Sequence, residues 1–277
     1  MPYPRAHWWV LFVIGVILLG FWPSYWRPFT EVPWQFHAHG VAASIWVILV
    51  FTQSWTAHNK RLPVHRLSGR ASLLLFPFLI AGLFAIIDFS GKNYVPGAVD
   101  VRSMFAAPFV IGLVVAVAAY VTVYFRALKY RRKVWIHSGY MLTTPIILFE
   151  SPFGRVLNGF FPPLQIRGPD DFHLVMDAIL TGMAIELAFI AAIWWRYREK
   201  ATPFLVAGAF IIAQMVTMGT TKDVGWLKGV LLEINAMPSW LIVGAGFALG
   251  VATSWAGWIA GKRPVAKVSS GAQAATT

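Results

Sequence analysis

The chain contains no cysteine in its 277 residues. That absence excludes disulfides, thiolate-held metals, iron–sulfur clusters and cysteine nucleophiles, and leaves the redox compartment open. Charge is scarce too: Asp, Glu, Lys and Arg make up 12% of residues, about half the share in soluble domains. Walker, Rossmann, zinc-finger and His-Glu-x-x-His patterns are missing, as is any serine-nucleophile motif. No internal repeat or second domain is visible. Acidic residues number only 11 against 23 basic ones, a net charge of +12. That excess is best read as membrane topology and not as nucleic-acid binding, because positive residues gather on cytoplasmic loops.

What is present is apolar: 58% of the chain is hydrophobic, arranged in long blocks. Eight of these approach the twenty or so residues a crossing helix needs. They run over 8–25, 39–57, 64–89, 103–126, 134–150, 172–196, 203–221 and 237–260. Lipid cannot satisfy an open backbone, so all should be helices. The expected fold is therefore all-α, a polytopic membrane helix bundle of about eight transmembrane helices. After Phe21-Trp22-Pro23 there is no small-residue cleavage site, so the first segment reads as a retained helix. Residues 1–263 read as one transmembrane domain, and 264–277, small and polar, as a flexible C-terminal tail.

The connections support that count. Alternate loops, with Arg5, hold sixteen of the 23 Lys and Arg residues, and the loops between them hold only seven. Strict alternation places both termini in the cytoplasm of a bacterial inner membrane. Nine of the eleven acidic residues fall at or beyond the opposite face. Pro63 stands where a third helix would start. Gly246 and Gly250 form a small-xxx-small pair suited to close helix packing. Val224 to Ile234 reads as a short amphipathic helix lying on the outer surface.

Polar groups at the membrane boundary are costly, so the histidines are the first candidates for function. His37 and His39 open span two at the outer face. His173 opens span six at the same face, with Asp177 four residues on, a spacing that stacks side chains on one side of a helix. Glu150 closes span five at that level. Imidazole and carboxylate suit copper, zinc or iron, and a carboxylate can also hold a ligating histidine in place. His37 and His39 are two residues apart and diverge on a regular helix, so their convergence requires the helix to start near Ala38.

At the inner face, His58, His65 and His137 stand among Lys60, Arg61, Arg66 and Arg70. These cations disfavour a bare metal ion and suit an anionic group, such as haem propionates or lipid phosphates. His7 and His58 read as interfacial polar residues. Glu186 falls inside the membrane, about 20 Å along span six from His173. It is either a functional carboxyl or a protonated side chain bonded to a neighbour. Asp88 reads as joining the outer group or facing water.

Some of these residues carry a resemblance. His37-Ala38-His39-Gly40 with Trp46 and Gln53, Val64-His65-Arg66-Leu67-Ser68-Gly69-Arg70, and Trp135-Ile136-His137-Ser138-Gly139-Tyr140-Met141 with Pro145 and Gly154-Arg155 resemble a group of uncharacterised bacterial multi-span proteins. That group is similar to YozB-type oxidase-assembly proteins and, more distantly, to four-helix b-type cytochromes. The likeness covers about residues 36 to 180. The cytochrome likeness implies paired axial histidines on each membrane side, whereas here they fall on spans two, three, five and six.

The leading expectation is a transition metal (Cu, Zn or Fe) or haem b held by His37, His39 and His173, assisted by Asp177 and Glu150. His65 and His137 are the inner cofactor candidates. The service would be redox chemistry or respiratory-complex assembly, with membrane lipids and respiratory subunits as partners and no nucleic acid. Alternatives are a metal-dependent intramembrane hydrolase acting on lipid-like substrates, with Asp177 or Glu150 as base, and a non-catalytic scaffold or carrier using Glu186.

Overall fold

A computed structural model describes residues 2–262, and the expected tail at 264–277 lies outside the described residues. Among the described residues every regular element is helical. Ten α-helices follow in order: α1 (Ala6–Phe21), α2 (Trp34–His58), α3 (Leu62–Lys92), α4 (Val101–Lys129), α5 (Val134–Ile147), α6 (Glu150–Phe160), α7 (Leu174–Tyr197), α8 (Thr202–Thr220), α9 (Gly225–Ala236) and α10 (Ser239–Ala260).

Six helical stretches are long and apolar enough to cross a membrane: Ala6–Trp26, Trp34–His58, Leu62–Lys92, Val101–Lys129, Pro169–Thr220 and Ser239–Ala260. The fifth runs for 52 residues and contains both α7 and α8, which the turn Arg198–Ala201 separates. Large apolar side chains cover the outside, among them Leu74, Trp195, Trp240 and Trp255. A water-facing monomer rarely exposes so much apolar surface, so these faces belong against lipid.

The core lies where α2, α3, α4 and α5 meet. Trp46, Phe76, Tyr120 and Tyr124 are fully buried there. Phe76 stacks on Tyr124 at 4.1 Å between ring centroids. Each polar tip finds a partner, as buried Trp and Tyr must. The Trp46 indole N–H donates to Thr144 Oγ1 at 2.9 Å, the Tyr120 hydroxyl donates to the Thr144 carbonyl at 2.7 Å, and the Tyr124 and Ser72 hydroxyls are 2.9 Å apart.

Helix α3 is the central packing element, with α2 on one side and α10 on another. Close approach there depends on glycine. A Cβ on Gly82 would lie 2.7 Å from the His39 Cα, and one on Gly250 would lie 2.5 Å from the Pro77 Cα. The pair Gly246 and Gly250 thus packs α10 onto α3, and Pro63 occupies the first turn of α3.

Two expected elements differ. The segment at 134–150 is not one rod: α5 stops at Ile147 and α6 starts at Glu150. Pro152 has no N–H to give the Leu148 carbonyl, so the helix breaks there. Helix α9 forms, but it does not simply lie on the surface. Leu227 and Leu231 are buried against Ile87, Ala106 and Val110 of α3 and α4, while Trp226 remains exposed.

Candidate functional site

The histidines expected at the outer face find three different sets of neighbours. Helix α2 begins at Trp34, not near Ala38, so His37 and His39 sit on a regular helix and diverge. His37 faces the outer end of the first segment, with Nδ1 3.3 Å from the Tyr25 hydroxyl and its ring 4.6 Å from Phe29. His39 packs toward α3, and its Nδ1 is buried with no partner among the described residues. His173 is exposed just ahead of α7 and donates from Nδ1 to the Asp170 carbonyl at 3.0 Å. Asp177 is exposed as well.

Glu150 opens α6, half-buried. Sequence reasoning named Arg155 only for a resemblance and gave it no part in the site, yet it lies within electrostatic reach of both Glu150 and His39. Its guanidinium covers the Phe21 ring at 4.7 Å and donates to the Ser151 carbonyl at 3.0 Å. A fixed guanidinium there works against a bare cation at the same place. Among the described residues no three His, Asp or Glu side chains stand together as an ion-holding group. Asp88 neither joins the histidines nor faces water: it is fully buried and accepts from Gln35 Nε2 at 3.3 Å.

At the other end of the bundle, His65 and His137 each have one nitrogen committed. His65 donates from Nδ1 to the Gln53 carbonyl at 3.2 Å, and His137 from Nδ1 to the Ala127 carbonyl at 2.9 Å. A carbonyl only accepts, so each Nδ1 carries the proton and each Nε2 keeps its lone pair when the ring is neutral. His65 lies within electrostatic reach of His137. This is the tautomer that metal-ligating histidines adopt, with the second nitrogen fixed by an oxygen acceptor.

A roomier concavity lies elsewhere among the described residues. Helix α1 packs on α2 and α6, and α7 packs on α6 and α8. Between α1 and α7 remains a cavity of about 450 Å³, closed behind by α5 and α6. That is within the range of small-molecule sites. Its walls are almost wholly apolar and rich in aromatic rings, including Trp9, Phe149, Phe153, Phe189 and Phe204. Two of these rings, Trp9 and Phe189, touch one another, with centroids 5.4 Å apart and planes inclined at 54°.

Glu186 is the carboxyl in that wall. It is 3% exposed, and its Oε1 has no hydrogen-bond partner among the described residues. Arg196 also lines it, about 15 Å along α7 from Glu186 toward the helix C-terminus. The sequence pointed to Glu186 as an intramembrane carboxyl, but not to the cavity, whose lining comes from five helices.

Comparison with protein-family models, curated proteins and solved structures finds no match to this chain.

Proposed function

We propose that this protein binds a lipophilic molecule with a flat, polar-tipped ring, of the quinone or quinol type, in the cavity between α1 and α7. The observation that carries this reading is Glu186: a buried carboxyl with an unpartnered oxygen in an otherwise apolar, aromatic-lined chamber. An unpaired buried polar group is costly, and a ligand carbonyl or hydroxyl relieves that cost. Aromatic walls suit a flat ring, by offset or edge contacts. This develops the carrier expectation, with Glu186 as the group that grips the polar end.

The accompanying topology is eight crossings with both termini in the cytoplasm of a bacterial inner membrane. Two points support it beyond the six long apolar stretches. The turn at Arg198–Ala201 divides α7 from α8, and α5 with α6 adds a kinked crossing. In that topology Arg196 sits at the cytoplasmic boundary, and the cavity reaches up from there into the bilayer.

The test is binding of a short-chain quinone to the purified protein in nanodiscs. Saturable binding should weaken about tenfold in Glu186→Ala, the loss of one buried hydrogen bond, and less in Glu186→Gln, which keeps a donor and an acceptor. Equal binding by all three proteins would refute the reading.

A second reading rests on a separate observation, the two inner imidazoles with Nδ1 already committed. It keeps haem b or a transition metal as the cofactor and moves it from His37, His39 and His173 to His65 and His137. Redox work or respiratory-complex assembly would follow from such a group. A visible spectrum and metal analysis of the purified protein, repeated on His65→Ala and His137→Ala, tests it. A colourless, metal-free protein that takes up neither counts against it.

A further inference from the structure

His7 and His58 read from sequence as separate interfacial residues, yet the fold brings them together. His7 lies in the first turn of α1 and His58 in the last turn of α2. Their ring centroids are 5.5 Å apart, with the planes inclined at 59°. The His58 Nδ1 lies 2.7 Å from the Ser54 carbonyl. That nitrogen must therefore be the donor, and the neutral ring keeps its lone pair on Nε2. The His58 Nε2 is buried without a partner, and so is the His7 Nδ1, among the described residues. Each ring is thus left with one nitrogen that has no hydrogen-bond partner among the described residues.

The spacing fits an ion between them. With bonds of about 2.0–2.1 Å and ring centroids roughly 1.1 Å behind each nitrogen, two tetrahedral ligands place their centroids roughly 5.2 Å apart. Square-planar neighbours would come closer, and a linear pair would stand further apart. Neutral imidazole nitrogens suit borderline first-row ions. The Ser54 carbonyl behind His58 supplies the outer acceptor that usually fixes a ligating ring. Of the cations in the nearest basic loop, the Arg61 guanidinium is turned onto the Trp55 ring, 4.8 Å from its centroid.

We infer that His7 and His58 form a binding site for a divalent transition-metal ion of the zinc class, with the remaining coordination positions left to water. The ion would clip the inner ends of α1 and α2 together. Helix α1 is also one wall of the cavity, but the site's residues do not line that cavity, and the inference stands whether or not a quinone binds.

The experiment uses the full chain, purified in detergent and stripped of metal by chelator, and titrates it with cobalt(II). Cobalt in a tetrahedral nitrogen–water site shows visible d–d bands that the hexaaquo ion lacks at that strength. One equivalent should bind with such bands, and zinc should displace it. Either His7→Gln or His58→Gln should weaken binding at least about tenfold, as the loss of even an outer partner can. His65→Ala with His137→Ala should leave the bands in place, which separates this site from the inner cofactor reading. Tryptophan-fluorescence melting without metal establishes that each variant is folded. The absence of bands in the folded wild-type protein, or bands that survive both glutamine substitutions, overturns the inference.

Discussion

Replacing Gly82 by alanine perturbs a close contact between α2 and α3, the pair of helices that carries His39 and part of the core. The added Cβ would lie 2.7 Å from the His39 Cα and 2.9 Å from the Ala38 carbonyl oxygen. Both are backbone atoms in a helix, so neither can swing away as a side-chain tip would. Ordinary contact begins at 3.4 Å, so the helices must part by roughly 0.7 Å in a close-packed interior. Overpacking of this kind costs about 1–3 kcal/mol, and the better helix propensity of alanine offsets up to about 1 kcal/mol. A net loss of about 1–2 kcal/mol corresponds to a melting shift of roughly 2–4 °C for a chain of this size. Fourteen tryptophans provide the signal for fluorescence melting in detergent, and a chain without cysteine rules out thiol-reactive dyes. Gly15→Ala is the control, because nothing lies within 4 Å of its Cβ position; it should melt at or slightly above the wild type. A Gly82→Ala protein that melts like Gly15→Ala refutes the helix spacing.

Other perturbations test other parts. Trp46→Phe removes the donor to Thr144 Oγ1 and part of a fully buried ring, and should lower stability by about 2 kcal/mol in the same melting assay; an unchanged melting temperature would contradict the core. Hydrogen bonds from Ser103 to the Asp100 carboxylate at the start of α4 hold its pKa below the usual carboxylate range. Its contribution is present above the unfolded pKa and fades as pH falls through the folded one, so Asp100→Asn should flatten the acid side of the stability profile; an identical profile counts against the cap. Single cysteines placed at Lys60, Lys133 and Lys200 should react with an impermeant thiol reagent from one face of the membrane, and those at Asn93, Arg167 and Asp223 from the other; labelling that mixes these two sets breaks the eight-crossing topology.

Class and helix content were legible because lipid imposes long apolar runs and internal hydrogen bonding. Gly246, Gly250 and Pro63 were legible too: Pro63 acts within its own helix, and small-xxx-small spacing marks a packing face whatever helix meets it. The break between α5 and α6 was missed although Pro152 signalled it, because the apolar pattern continues across it. The outer histidine group was read from depth alone. Depth along a helix says nothing of rotation, and a start at Trp34 turns His37 and His39 apart. Arg155 went unweighed as a boundary cation. His7 and His58 were paired by the packing of α1 on α2, which sequence spacing does not encode. The cavity likewise depends on where α1 and α7 fail to close on each other, a property of several helices at once.

The central claim is that the chamber beside Glu186 holds a quinone-type molecule. Photo-crosslinking with an azido-quinone, followed by peptide mapping, tests it most directly. The account predicts adducts on α1 near Trp9 to Val13 and on α7 near Ile185 to Ile193, competed away by unlabelled quinone and reduced in Glu186→Ala. Adducts scattered over the lipid-facing surfaces of α3 and α10, insensitive to competitor and to Glu186, would contradict it.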